Sequence, residues 1–181
     1  MNPSDCILNP VTGDTLKVLP AGGDRLFEFT LPAGSNGSPL HFHTRIRERF
    51  EVVDGCLTMI AGNPHQPRLL GKGESLSVEP GVVHRFWNPR PDPVTFRCEV
   101  SPSQDFETFI LALYQLGIEG RTGASGLPRN PLQIAVLLEL ADFHFPGVPV
   151  ALQRAFRRVL TALARKTGAA GTILQFADKL R

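Results

Sequence analysis

From residue 24 to residue 100, short runs of alternating apolar and polar side chains are separated by turn clusters. Phe27, Phe29 and Leu31 share one face of an extended segment, which predicts a half-buried strand. Residues 32–39 are rich in Gly, Ser and Asn and read as a loop. Strands are expected over 41–44 and 49–53, and Asp54-Gly55 then signals a hairpin into 57–61. Further short strands are expected at 69–70, 75–78, 84–87 and 94–100, with turns at 62–67, 71–73, 80–81 and 88–93. Many short strands at this spacing predict a closed or sandwiched β-barrel.

After Ser101 the period changes. Ser101-Pro102-Ser103-Gln104 reads as a capping box with proline at the first helical position. Phe106, Phe109, Ile110 and Leu113 then follow helical spacing as far as Gly117. Asn130-Pro131 opens a second helix, expected to run to about Phe143 and apolar on several faces, which implies burial between partners. A third helix carries Leu152, Ala155, Phe156, Val159, Leu160 and Leu163 as one apolar stripe, opposite Arg154, Arg157, Arg158, Arg165 and Lys166. Gly168 to Gly171 end it, and the tail beyond has no assigned structure. The chain thus divides into a barrel with N-terminal strands, 1–101, and a helical extension, 102–181, packed on the barrel or on a partner subunit.

Composition adds bounds. With 42% hydrophobic and 20% charged residues among 181, the chain can bury a sizeable core, and 17 Gly and 16 Pro suit a turn-rich β architecture. Cys6, Cys56 and Cys98 are odd in number and lack paired spacing, so they read as reduced thiols in a cytoplasmic protein. Cys56 and Cys98 have no activating neighbour in sequence, which argues against a nucleophile. Met1 to Asp5 show no secretory pattern, and the longest apolar run, 134–138, is far too short to span a bilayer. Residues 1–120 carry ten basic and fourteen acidic side chains, a net −4, while residues 121–181 carry nine and three, a net +6. A basic helical face of this kind is what an ordinary solvated helix shows, so neither nucleic acid nor a membrane surface is expected as partner.

The chemistry concentrates in three of the five histidines. His41 and His43 are two apart on an expected strand and present both imidazoles to one side. Glu48 stands at the start of the returning strand, and His84 can join from a distant one. Imidazoles with one carboxylate suit a single divalent ion, with iron, manganese, zinc, nickel and copper all open. His65, beside two prolines, and His144, at an expected helix end, are not counted as ligands. By strand parity, Phe50 and Phe86, and with them Asn88, point inward beside the ligands and are candidate substrate contacts. Arg45, Arg47 and Arg49 form a charged turn by the barrel mouth.

The motifs resemble those of the cupin superfamily. His41, His43, Glu48 and Gly55 keep every interval of the first motif, and Gly73, Gly81, His84 and Asn88 keep those of the second. Two turn positions depart: Glu79 stands where proline is usual, with Pro80 beside it, and Ser35 where glycine is usual, with Gly34 beside it. The resemblance covers roughly residues 25 to 100. It implies a mainly β fold, a double-stranded β-helix (jelly-roll) barrel, here followed by about three α-helices. It further implies a metal at His41, His43, Glu48 and His84. The reactions it implies are dioxygenation, sugar isomerisation or related lyase and cyclase chemistry, with Glu48 able to act as base. Homodimers are common in the superfamily. A metal-dependent enzyme acting on a small organic substrate, dioxygenase- or isomerase-like, stands beside two alternatives: a non-catalytic small-molecule binding or sensing module, and a barrel scaffold whose helices build an oligomer. Whether the chain is an enzyme is left open by the sequence.

Overall fold

The computed structural model describes residues 6–19 and 25–179; the stretch Met1 to Asp5, where the sequence shows no leader pattern, lies outside them. Ten strands come first: β1 (Ile7–Leu8), β2 (Thr15–Leu19), β3 (Arg25–Leu31), β4 (Phe42–His43), β5 (Arg47–Asp54), β6 (Cys56–Ala61), β7 (Arg68–Gly71), β8 (Ser75–Val78), β9 (His84–Trp87) and β10 (Val94–Ser101). Then follow α1 (Gln104–Ile118), α2 (Pro131–Leu140), β11 (Phe143–His144), α3 (Val150–Lys166) and α4 (Ala169–Lys179). One antiparallel sheet runs β1-β2-β3-β10-β5-β8 and faces a second, β7-β6-β9; β4 pairs with β11. The architecture is the expected barrel followed by helices, with a fourth helix, α4, in the tail.

Strand alternation sets the core. Phe27, Phe29 and Leu31 on β3, Phe50 and Val52 on β5, and Phe96, Cys98 and Val100 on β10 are buried, and their neighbours are not. A step of two residues along each strand returns to the same face, so this one parity also turns Glu48 inward. At the Asp54-Gly55 hairpin, Gly55 takes φ +79° and a Cβ there would lie 2.7 Å from the Pro93 carbonyl oxygen. Loop 32–40 lies against β9 so closely that a Cβ on Gly37 would meet the Phe86 carbonyl oxygen at 1.9 Å.

The helices depart from the sequence expectation in three places. Ser101 belongs to β10, opposite Arg47, so no capping box forms there; Ser103 is the N-cap of α1 and makes no side-chain cap bond. The cap of α2 forms as expected, with the Asn130 side chain accepting from the Leu132 amide and Pro131 in the first turn. That helix stops at Leu140, three residues early, because Asp142 takes φ +47° and turns the chain into β11. The all-round apolar character of α2 is accounted for by its own chain, since it packs against α1, α3 and α4. Finally, α3 is inverted. Arg157, Thr161 and Ala164 face the body, while Leu152, Phe156, Val159 and Leu163 face outward. The Leu138 carbonyl, in the last turn of α2, and the Phe143 carbonyl, in β11, accept from Arg157 Nη1 at 2.6 and 2.9 Å. Satisfying those buried acceptors draws Arg157 inward, while Arg154, Arg158, Arg165 and Lys166 stay exposed.

Among the described residues, no helix is long and apolar enough to cross a membrane.

Candidate metal centre

His41 and His84 bond each other's backbones in an isolated bridge, amide to carbonyl at 2.9 and 2.7 Å, which joins loop 32–41 to β9. His43 lies two residues on, in β4, and its carbonyl accepts from the Gly81 amide at 2.7 Å. Glu48 enters from β5, held between Val78 of β8 and Val100 of β10. One ligand atom from each of these four buried residues lies within 4.8 Å of every other, a group that could hold a metal ion. All four predicted ligands are brought together.

The ring tautomers follow from the backbone. Nδ1 of His41, His43 and His84 meets the carbonyl oxygens of Pro39, Ala141 and Val82 at 2.8, 2.7 and 2.9 Å. A carbonyl only accepts, so each Nδ1 carries the proton and each neutral ring keeps its lone pair on Nε2. His84 Nε2 is 2.8 Å and His43 Nε2 3.3 Å from Glu48 Oε2. These three buried atoms make no well-formed hydrogen bond. Lone pairs and an anionic oxygen thus converge out of water, an arrangement that is costly alone and favourable around a cation. The donor set fits a divalent ion.

Electrostatics agree. Burial, the largest influence on Glu48, works upward, but His43 and His84 outweigh it and hold the carboxyl far below its usual range. Burial lowers His43, yet the Glu48 carboxylate beside it outweighs this and leaves that imidazole raised. His41 is lowered well below the ordinary histidine range by burial, then by His84 and His43. The other carboxylate oxygen, Glu48 Oε1, accepts from the Cys98 thiol at 3.8 Å, and burial pushes that thiol up, so it stays protonated.

Phe50 and Phe86 lie near the ligands, Phe50 with its ring centroid 6.5 Å from that of His84 and 5.7 Å from that of Phe86. Asn88 does not join them. Its Nδ2 donates to the carbonyls of Leu31, Pro32 and Asp92 and its Oδ1 accepts from the Arg90 amide, so it clasps the loop after β9. Of the mouth arginines, Arg49 is spent on Glu51 and Ser75 at the surface. Arg45 turns toward Asp142 at 3.7 Å and lines a cleft of about 340 Å³ with Glu139, Arg154, Arg157 and Arg158.

The helical part supplies what the sequence did not show. Phe143 of β11 stacks on His41, centroids 4.0 Å apart and planes within 3°. Ala141 orients His43, and Asp142 Oδ2 accepts from the amides of Thr44 and Arg45 at 2.7 and 2.8 Å. Burial works upward on that carboxyl, but the Thr44 bonds outweigh it and keep it low. His144, expected at a helix end, is instead buried in β11, stacked on Phe42 and 3.2 Å from Asp142 Oδ1. A tertiary turn overrode the helical period; the signal that was available is the Asp142-Phe143-His144-Phe145 alternation.

Residues 27–100 match the family model described as the Cupin domain. This part of the chain is a cupin domain. No curated protein matches the chain. Solved structures similar to it include a sugar phosphate isomerase from a cupin superfamily, of Silicibacter pomeroyi, at 20% identity, TM-score 0.46, over 55% of this chain and 66% of that one. KdgF from Halomonas is 19% identical, TM-score 0.45, over 52% and 84% respectively. The polyketide cyclase RemF from Streptomyces resistomycificus is 22% identical, TM-score 0.42, over 48% and 63%. The chain therefore spans less than two thirds of the length of the isomerase and of the cyclase.

Proposed function

We propose that this cupin binds one divalent first-row metal ion through His41, His43, Glu48 and His84 and acts on a small organic substrate, in dioxygenase- or isomerase-like chemistry. The convergence of one ligand atom each from His41, His43, Glu48 and His84 within 4.8 Å, with His43 Nε2 and His84 Nε2 beside Glu48 Oε2, carries the reading. The ion would supply Lewis acidity and open coordination positions for an oxygen-bearing substrate. The protein's own contribution is orientation and exclusion of water. Three backbone carbonyls fix the rings, Cys98 fixes one oxygen of Glu48, and Phe143, Phe106 and Phe50 close the surroundings against solvent. Glu48 is held ionised and can take a proton when its bond to the ion loosens. Phe50 and Phe86 are proposed as the apolar wall the substrate meets. We further infer that the working form is a cytoplasmic homodimer.

The test is elemental analysis of untagged protein purified without added metal, followed by oxygen-uptake and sugar-isomerisation screens of the metallated form. One ion per chain in the wild type, lost in His84→Ala, is the expected result. Absence of stoichiometric metal would refute the proposal. A ligand that co-purifies tightly without turnover in air with iron(II) would assign a binding or sensing role.

A further inference from the structure

The outward face of α3 is too apolar to be left in water. Leu152, Phe156, Val159 and Leu163 are 61%, 65%, 67% and 46% exposed, and Phe145 and Val148 just before the helix are exposed as well. Single exposed apolar residues are ordinary, but a contiguous patch of this size marks a contact surface. The four helical positions are spaced four, three and four residues apart, the spacing of a coiled-coil seam whose side chains interlock with an identical set.

What flanks the seam selects the partner. Ala155 and Ala162 border it on one side, Gln153 and Leu160 on the other, so the border is small or uncharged. Small flanks admit a second helix at close range. Of the five basic residues of α3, two are held against the body, while Arg158, Arg165 and Lys166 are exposed. Arg157 is buried on backbone carbonyls, and Arg154 donates to Thr44 Oγ1 at 2.7 Å. A lipid surface is favoured by cations free to reach its headgroups, and here two of them are committed to the body. A second copy of this helix meets no like charge along most of the seam.

We propose that α3 is a homodimer interface in which two copies of the helix pack antiparallel about a two-fold axis. Antiparallel pairing sets Leu152 opposite Leu163 and Phe156 opposite Val159, large against small at the centre. Parallel pairing would stack Phe156 on itself and bring Lys166, at the seam's C-terminal edge, against its own copy. With Phe145 and Val148 the exposed apolar area is roughly 500 Å² per copy, or about 1,000 Å² for the pair, the lower bound of a specific interface. The proposal rests on the homodimer inferred above and assigns its surface.

Sedimentation equilibrium on the full-length metallated protein tests both. The expected result is a dimer at micromolar concentration that Phe156→Glu converts to monomer, at least a hundredfold weaker in association, with metal content and circular dichroism unchanged. Val159→Glu, on the same outward face, gives the same loss if Phe156→Glu folds poorly. A wild-type monomer overturns the homodimer and the surface together. A wild-type dimer that persists in both folded variants overturns only the surface. A wild-type monomer that floats with anionic phospholipid vesicles, as Phe156→Glu does not, overturns the assignment in favour of lipid.

Discussion

Asp142 is expected to govern both stability and metal affinity although it is not a ligand. Its Oδ2 accepts from two backbone amides, Thr44 and Arg45, and its carboxylate also receives the Thr44 hydroxyl and faces His144. A hydrogen bond to a charged acceptor is worth roughly 1.5–3 kcal/mol. The residue also sits at φ +47°, where alanine loses about 1–2 kcal/mol relative to glycine. Asp142→Ala removes the acceptors and adds the backbone strain, a loss on the order of 4 kcal/mol. For a chain of this length that lowers Tm by roughly 8–16 °C. Asp142→Gly keeps the left-handed turn and loses only the acceptors, about 1–2 kcal/mol less. Asp142→Asn keeps one acceptor and tolerates the turn, so it is the mildest of the three. Because Ala141 and Phe143 flank this residue and contact His43 and His41, metal affinity falls by about 10–100-fold in the alanine and glycine variants. Calorimetry of the metal-free proteins and competitive titration with a chromogenic chelator read the two effects separately. Equal melting temperatures for the alanine and glycine variants, or an unchanged affinity in both, would refute the reasoning.

Three further outcomes follow from the same geometry. Stabilisation by bound metal shrinks as pH falls from above 6.5, about tenfold in affinity per unit, because the metal-free centre holds a proton on His43 more tightly than a free imidazole does. The sign is opposite for the metal-free protein: the raised His43 contributes stability at low pH that is lost as pH rises through its folded value; an affinity flat between pH 5 and 8 in titrations contradicts this. A thiol reagent labels exposed Cys6 in the native protein and reaches Cys98 only on unfolding, which mass mapping of labelled peptides will show. Gly37→Ala drives a methyl into the Phe86 carbonyl at a left-handed position and costs at least about 2 kcal/mol in chemical denaturation; a change under 0.5 kcal/mol would show that the loop simply moves.

The sequence made the barrel legible where short-range rules suffice. Parity on β5 turns Glu48, Phe50 and Val52 inward together, and the two-residue step from His41 to His43 keeps both rings on one side. It failed where a long-range partner decides. Asn88 had the right parity for the site, but four backbone groups, two at the end of β3 and two in its own loop, claim its amide. The apolar period of α2 runs on to Phe143, and only pairing with β4 explains why the chain turns at Asp142 instead. The α3 stripe was plain in sequence, yet an amphipathic pattern does not say which face meets the body; buried carbonyls awaiting Arg157 settled that.

The pairing of β11 with β4 bears on how the centre comes into being. The ribosome delivers all four ligands with His84, well before Ala141 and Phe143 are made. A nascent barrel can therefore display its imidazoles while the carbonyl that aims His43 and the ring that covers His41 are still unsynthesised. An ion captured before that point would meet a looser and less discriminating cage.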